Sequence, residues 1–228
     1  MKNKQHLENL KAIFLPEPLE AERDRGYLAS IPYILKEIYI DGVYDRLFTG
    51  RHDLLVLDIG AHIGLWSMYA SRYCKKIYAI EPSEEIYRVL LKNLSHNGYE
   101  NVEPIKVAIA NANTVTSLYT GGQNTTATLV GDSNRGSQEV ECWTLPKLFL
   151  EKKIEHVDIM KLDVEGAEFG IFGGDHFSEV CGKIDVIVGE IHKWANRNFN
   201  NLYWSLKKRG FRVELVKHQA DIFFATRI

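Results

Sequence analysis

Two groups of residues in this chain have the types and spacing that chemistry needs. The first is Asp58-Ile59-Gly60-Ala61-His62-Ile63-Gly64, with Glu81 placed 17 residues after Gly64. The apolar run Leu54-Leu55-Val56-Leu57 ahead of it reads as a strand buried on both faces. The glycines then fall where that strand must turn into a helix. Gly60 permits a sharp turn, and Gly64 permits close approach of the helix that follows. In open α/β sheets, ligands bind beyond the carboxyl ends of the strands, where strand order reverses. His62 occupies the position of the middle glycine of a dinucleotide fingerprint, which argues against a pyrophosphate here. Histidine is among the residues enriched at positive φ, so His62 is expected to hold that strained position. A carboxylate accepts two hydrogen bonds at once, so Glu81 suits the two hydroxyls of an adenosine ribose. The alternative for Glu81 is a carboxylate at the start of the helix opened by Pro82 and Ser83.

The second group is Asp163, Glu165 and Glu168, with Glu190 and His192 further on. Asp163 ends a strand at Val157–Leu162, and Glu190 ends another at Ile184–Gly189. Side chains alternate along a strand, so Glu190 and His192 share a face if that strand continues. Parallel neighbours would bring all these groups to one rim. Such a rim suits a transfer in which an alcohol sheds its proton, help worth typically ~10²–10⁴-fold. His192, with an ordinary pKa near ~6.5, fits that work, and Asp163 is the alternative proton acceptor or the group that orients the hydroxyl. The plainer readings are helix-dipole carboxylates for Glu165 and Glu168 and a rim histidine for His192. Carboxylates and imidazoles also bind divalent cations, but no ligand spacing is recognisable and no metal is assigned. Lys161 reads as either a snorkelling structural residue or a charge partner for Asp163.

The surrounding pattern supplies the elements that position these groups. A helix from Gly64 to about Tyr73 leads to a strand at Ile77–Ile80, and a helix capped by Ser83 runs on until Asn97-Gly98 stops it. Val102–Val107 is the third strand. Residues 110–140 break the rhythm with Asn, Thr, Gly and Ser, and read as a β-hairpin, Thr114–Tyr119 with Gln138–Cys142, in place of a crossover helix. Its polar tip, Gly121–Thr128, is expected to close over a site. A short helix capped by Thr144 follows, and after strands four and five a helix spans about Asn200–Lys208. Phe211–Val216 and Ile222–Thr226 then alternate as a terminal antiparallel pair. The expected fold is α/β, a Rossmann-like seven-stranded, mostly parallel sheet with helices on both faces. Residues 1–50 read as an N-terminal helical extension, with a stripe of Tyr33, Ile34, Glu37, Ile38 and Ile40, and 51–228 as the main domain. That extension is expected to cover the sheet edge or to wall a substrate site.

Four strings together resemble the FkbM family of S-adenosylmethionine-dependent methyltransferases. They are Val56–Gly64, Ala79-Ile80-Glu81-Pro82-Ser83, Met160–Glu168 and Glu190-Ile191-His192. The most specific is Lys161-Leu162-Asp163-Val164-Glu165-Gly166-Ala167-Glu168. His62 stands where the family typically has Asn. The resemblance implies a class I methyltransferase fold, S-adenosylmethionine as methyl donor and, usually, O-methylation of a small molecule or sugar. It implies a cofactor site at Asp58, Gly60, His62, Gly64, Glu81, Pro82, Ser83, Ala108 and Asp163. Catalysis would then fall to Asp163, Glu165 and His192.

Composition narrows the function classes. With 45% hydrophobic and 25% charged residues, the 228-residue chain is ordinary for a globular protein with a sizeable core. There are 28 basic and 30 acidic residues without a basic face, so nucleic acid is not an expected partner. No apolar run approaches the ~20 residues of a membrane span, and Met1–Lys11 has no secretory pattern. The three cysteines, Cys74, Cys142 and Cys181, are odd in number and far apart, which reads as reduced thiols in a cytoplasmic protein. The partner expected is a small-molecule or sugar hydroxyl acceptor, and self-association into a homo-oligomer is left open. The competing readings are a non-catalytic S-adenosylmethionine-binding or assembly protein and, less favoured, an NAD-dependent oxidoreductase.

Overall fold

A computed structural model describes residues 31–120, 129, 136–190, 199–217 and 221–228. Seven strands form one sheet in the order β3-β2-β1-β7-β8-β10-β9. They are β1 (Leu54–Ile59), β2 (Cys74–Ile80), β3 (Val102–Ile105), β7 (Val157–Leu162), β8 (Ile184–Glu190), β9 (Phe211–Lys217) and β10 (Asp221–Arg227). The first five run parallel to one another, and β10 runs antiparallel to both β8 and β9. Strand order therefore reverses between β1 and β7, which is where a ligand crevice belongs.

The sheet alternates as a two-faced element must. Leu57, Ile59, Met160, Leu162 and Ile187 enter the core beneath α3 (Leu145–Glu151), α4 (Glu168–Gly173), α5 (Asp175–Val180) and α6 (Phe199–Lys208). Val56, Ile77, Ile159 and Val188 enter the other core with α1 (Leu65–Ala70), α2 (Glu84–Asn97) and the N-terminal segment. The ladder pairs Asp58 with Lys161, Lys161 with Val188, and Glu190 with Ile222. Period two thus puts Asp58, Lys161 and Glu190 on the same face as Val56, Ile159 and Val188. That is the face the N-terminal segment covers.

Three expectations about the elements need correcting. Val102–Val107 is not one strand: β3 ends at Ile105, and the Val107 N–H bonds back to the Ile105 carbonyl at 3.2 Å. This tight turn sends the chain into a second sheet, where β4 (Ala108–Ile109) runs parallel to β6 (Gly136–Trp143) and β5 (Thr114–Thr120) antiparallel to it. The hairpin is as read, but it belongs to this separate three-stranded sheet. Its tip at Gly121–Thr128 lies outside the described residues.

Ser83 makes no side-chain cap for α2; its backbone N–H donates to Glu81 instead. Thr144 does cap α3, accepting from the Lys147 N–H. The N-terminal stripe is also rotated. Lys36–Ile40 is π-helical, and its wider turn shifts the phase away from the 3.6-residue pattern. Ile38 and Tyr39 point inward, whereas Tyr33 and Ile40 are more than half exposed.

Candidate active site

The turn after β1 is built on two fitted glycines. Gly60 has φ +78°, and a Cβ there would lie 1.8 Å from the Asp163 carbonyl oxygen. That close approach clamps the ends of β1 and β7 together, a constraint invisible in the sequence of either strand. Gly64 has φ +89° and leaves room for Leu90 of α2, whose Cδ1 would sit 2.6 Å from a Cβ. His62 holds φ +54°, the left-handed conformation expected for it.

Glu81 is 6% exposed and is the hinge of the cradle. Its Oε2 accepts the backbone N–H of His62 at 3.0 Å, and its Oε1 accepts that of Ser83 at 2.9 Å. Each carboxylate oxygen has two acceptor positions, so two bonds leave two more for a ligand. Burial pushes the Glu81 carboxyl up to about 7, against the pull of those two amides and of Lys161. Burial lowers His62 to about 4, with Asp163 acting in the opposite sense. The imidazole is therefore neutral at physiological pH. Pro82, half-buried, links Glu81 to Ser83 at the start of α2.

Behind this turn lies a buried charge network. Asp58 is 0% exposed, and its Oδ2 accepts the Ser67 hydroxyl of α1 at 2.7 Å. The Lys161 ammonium lies 3.2 Å from Asp58 Oδ1 and 3.7 Å from Asp163 Oδ2, and donates to the Gly60 carbonyl at 3.2 Å. Burial pulls the Lys161 ammonium down, but Asp58 and Asp163 outweigh it and hold its pKa above the ordinary value. Burial pushes the Asp58 carboxyl up, with Lys161 and Ser67 acting against it. Lys161 is therefore a charge partner of both aspartates, and Asp58 more than of Asp163. Asp58 sits behind the cradle and fixes it rather than lining it.

Asp163 follows β7 with its side chain about a third exposed. Glu165 has φ +51° in the next turn, and Glu168 is buried, its Oε1 accepting the Gly166 N–H at 3.2 Å. Glu168 thus ties its own turn together. Glu190 closes β8, next to β7. His192 lies outside the described residues. Ala108 opens β4 of the small second sheet, where it is buried with Leu118, Val140 and Cys142. Tyr44, absent from the sequence-derived set, is buried on the sheet face that carries Asp58, Lys161 and Glu190, its hydroxyl pushed well above the ordinary phenol range by burial first and then by Glu37, Asp163 and Glu190. The missed signal was the sheet alternation, which turns Lys161 and Glu190 toward the N-terminal segment.

A further group of metal-ligand types, His156, Asp158 and Asp185, gathers at the amino ends of β7 and β8. Asp158 already accepts the Leu55 N–H at 2.8 Å and pairs with Arg51 at 3.4 Å, so it fastens β1 at the edge opposite the cradle.

These features match known proteins. The profile of the methyltransferase FkbM domain matches residues 58–213, more than half of the chain, so the chain belongs to that family. A methyltransferase of Sordaria araneosa, sdnD, is 30% identical over 196 residues, covering 70% of this chain and 75% of its own. Methyltransferase 1 of Beauveria bassiana is 23% identical, covering 81% and 82%. Among solved structures, the precorrin-6y C5,15-methyltransferase of Geobacter metallireducens aligns with TM-score 0.52 at 16% identity, over 82% of this chain and 87% of that one. A putative methyltransferase of Streptococcus mutans in complex with SAH aligns with TM-score 0.52 at 9% identity, over 82% and 97%. The fold is that of the S-adenosylmethionine-dependent methyltransferases, and no described helix is long and apolar enough to cross a membrane.

Proposed function

We propose that the protein transfers the methyl group of S-adenosylmethionine to a hydroxyl of a small molecule or sugar. The observation that carries this reading is Glu81, a buried carboxylate at the end of β2, fixed by two backbone amides with acceptor positions to spare and fastened to the turn of β1, where strand order reverses. Its remaining positions suit the two ribose hydroxyls, and the turn Gly60–Gly64 would receive the amino-acid end. The cofactor supplies a methyl group on a positively charged sulfur. A neutral His62 in that turn would add no charge to repel such a sulfonium.

Asp163, Glu165 and Glu190 form the rim at which an acceptor hydroxyl would be oriented. Asp163 sits nearest the cradle and would orient the hydroxyl or take its proton. Among residues outside the described set, His192 is the other candidate for the proton, and the Gly121–Thr128 loop the candidate cover. A divalent metal has no part in this reading.

The test has two parts. S-adenosylhomocysteine should raise the melting temperature by mass action, and NAD should not. Labelled S-adenosylmethionine should then pass its methyl to a member of a panel of sugars, phenols, alcohols and hydroxy acids. Stabilisation by NAD alone would overturn the cofactor assignment. Cofactor binding without transfer to any hydroxyl would favour a non-catalytic binding protein instead.

A further inference from the structure

The N-terminal segment lies outside the 58–213 family match, yet it reaches the rim. Tyr44 is 7% exposed, with its ring edge-on to Trp66 of α1 at 5.9 Å between centroids. Two residues on, the Arg46 guanidinium lies 4.5 Å over the Phe224 ring of β10 and donates to Glu214 of β9 at 2.8 Å. The segment therefore crosses the sheet face from α1 toward β10, passing over the side on which Asp58, Lys161 and Glu190 project. Tyr44 packs in the same core as Val188, Ile222 and Phe224, and burial, then Glu37, Asp163 and Glu190, push its hydroxyl well above the ordinary phenol range.

That hydroxyl has a defined polarity. It donates its one proton to Glu37 Oε1 at 3.0 Å. A phenol oxygen keeps acceptor capacity when it donates, and among the described residues no donor reaches it. Burying an acceptor without a donor is costly, so a ligand that supplies one is favoured there. The bond runs from the Tyr44 hydroxyl to a Glu37 carboxyl oxygen, which accepts.

We propose that Tyr44 is the acceptor-side contact of the active site, receiving a hydrogen bond from a hydroxyl of the methyl acceptor opposite Asp163. This rests on the O-methyltransferase reading above. Glu37 is a positioning residue that acts through Tyr44. The acceptor must then present a donor toward the N-terminal wall, and a compound carrying only ether or carbonyl oxygens there is excluded. Because this wall lies outside the shared domain, acceptor choice would differ among relatives that keep the same cradle.

The experiment compares wild type, Tyr44→Phe and Glu37→Gln on the panel hydroxyl compound that wild type methylates fastest. Tyr44→Phe should raise the acceptor KM tenfold or more, while kcat falls less than KM rises. S-adenosylhomocysteine affinity by calorimetry should stay within about twofold, which shows the cradle intact. Glu37→Gln should shift the acceptor KM in the same direction by a smaller factor, with kcat changing less than KM. Glu37 is only partly buried, so this variant tests the idea even where Tyr44→Phe folds poorly. An unchanged KM in both variants, with wild-type O-methylation intact, overturns the Tyr44 contact and leaves the function standing. Wild type that binds S-adenosylhomocysteine but methylates no hydroxyl overturns the function and the contact together.

Discussion

The backbone N–H of His62 donates to Glu81 Oε2 at 3.0 Å, so the turn after β1 is fastened to the end of β2 by one carboxylate. The glycine turn and the acidic residue are thereby a single device. Cradle geometry and ligand recognition share the same two oxygens.

Glu81 titrates near 7 because it is buried, and ribose hydroxyls would donate to its ionised form. Cofactor affinity should therefore fall as pH drops below about 7, with proton release on binding in that range. Calorimetry at pH 6.5 in two buffers of different ionisation enthalpy reads the released proton directly. Equal apparent enthalpies in the two buffers would contradict it.

Glu81 and His62 should also tilt the stability of the empty protein in opposite directions. Glu81 is raised from 4.5 to about 7, so between those values the folded state holds more protons and stability falls as pH rises. His62 is lowered from 6.5 to about 4, so between those values the unfolded state holds more protons and stability rises with pH. The two oppose each other over most of this window. Denaturant unfolding of Glu81→Gln should show a steeper gain with pH than wild type, and His62→Asn a steeper loss.

Lys161→Met would leave the fully buried Asp58 without its cation, beside Asp163. Breaking a buried pair from one side typically costs about 3–5 kcal/mol. Urea unfolding should show that loss, and adding Asp58→Asn should recover part of it. An additive double mutant would mean that Lys161 acts through packing alone.

The two glycines of the turn should differ sharply in tolerance. Gly60→Ala drives a Cβ onto a backbone carbonyl, at 1.8 Å, and holds alanine at positive φ. Strain and overpacking together come to about 3 kcal/mol or more. Gly64→Ala, at φ +89°, shares the backbone strain but meets only the ends of the flexible Leu90 and Leu94 side chains, at 2.6 and 3.9 Å, so it should cost less. Melting temperatures of the two variants give the ranking, and the reverse order would count against the β1–β7 clamp.

The sheet was legible because its strands are short apolar runs separated by glycine turns and capped helices. The seven strands of the main sheet and the terminal antiparallel pair follow the sequence reading, except that β3 stops at Ile105. Asp58, Gly60, His62, Glu81 and Asp163 were legible as a group because they end strands that must be parallel neighbours. What the sequence hides is contact across the sheet. No pattern within β1 reports that Gly60 abuts the Asp163 carbonyl, or that Lys161 prefers Asp58. Nor does any pattern report the Ile105–Val107 turn, which carries Ala108 into a second sheet. Tyr44 escaped notice because its neighbours at the rim are more than 100 residues away in the chain.

The central claim divides the site into a cradle at Glu81 that holds the cofactor and a rim at Asp163 that serves the acceptor. Titration of S-adenosylhomocysteine into Glu81→Gln and Asp163→Asn tests that division most directly. Losing a hydrogen bond to a charged partner costs about 1.5–3 kcal/mol, so Glu81→Gln should bind tenfold or more weakly. Asp163→Asn should bind within about threefold of wild type and lose turnover instead, the mark of an interaction made chiefly in the transition state. Equal losses of affinity in both variants, or none in Glu81→Gln, would contradict the division.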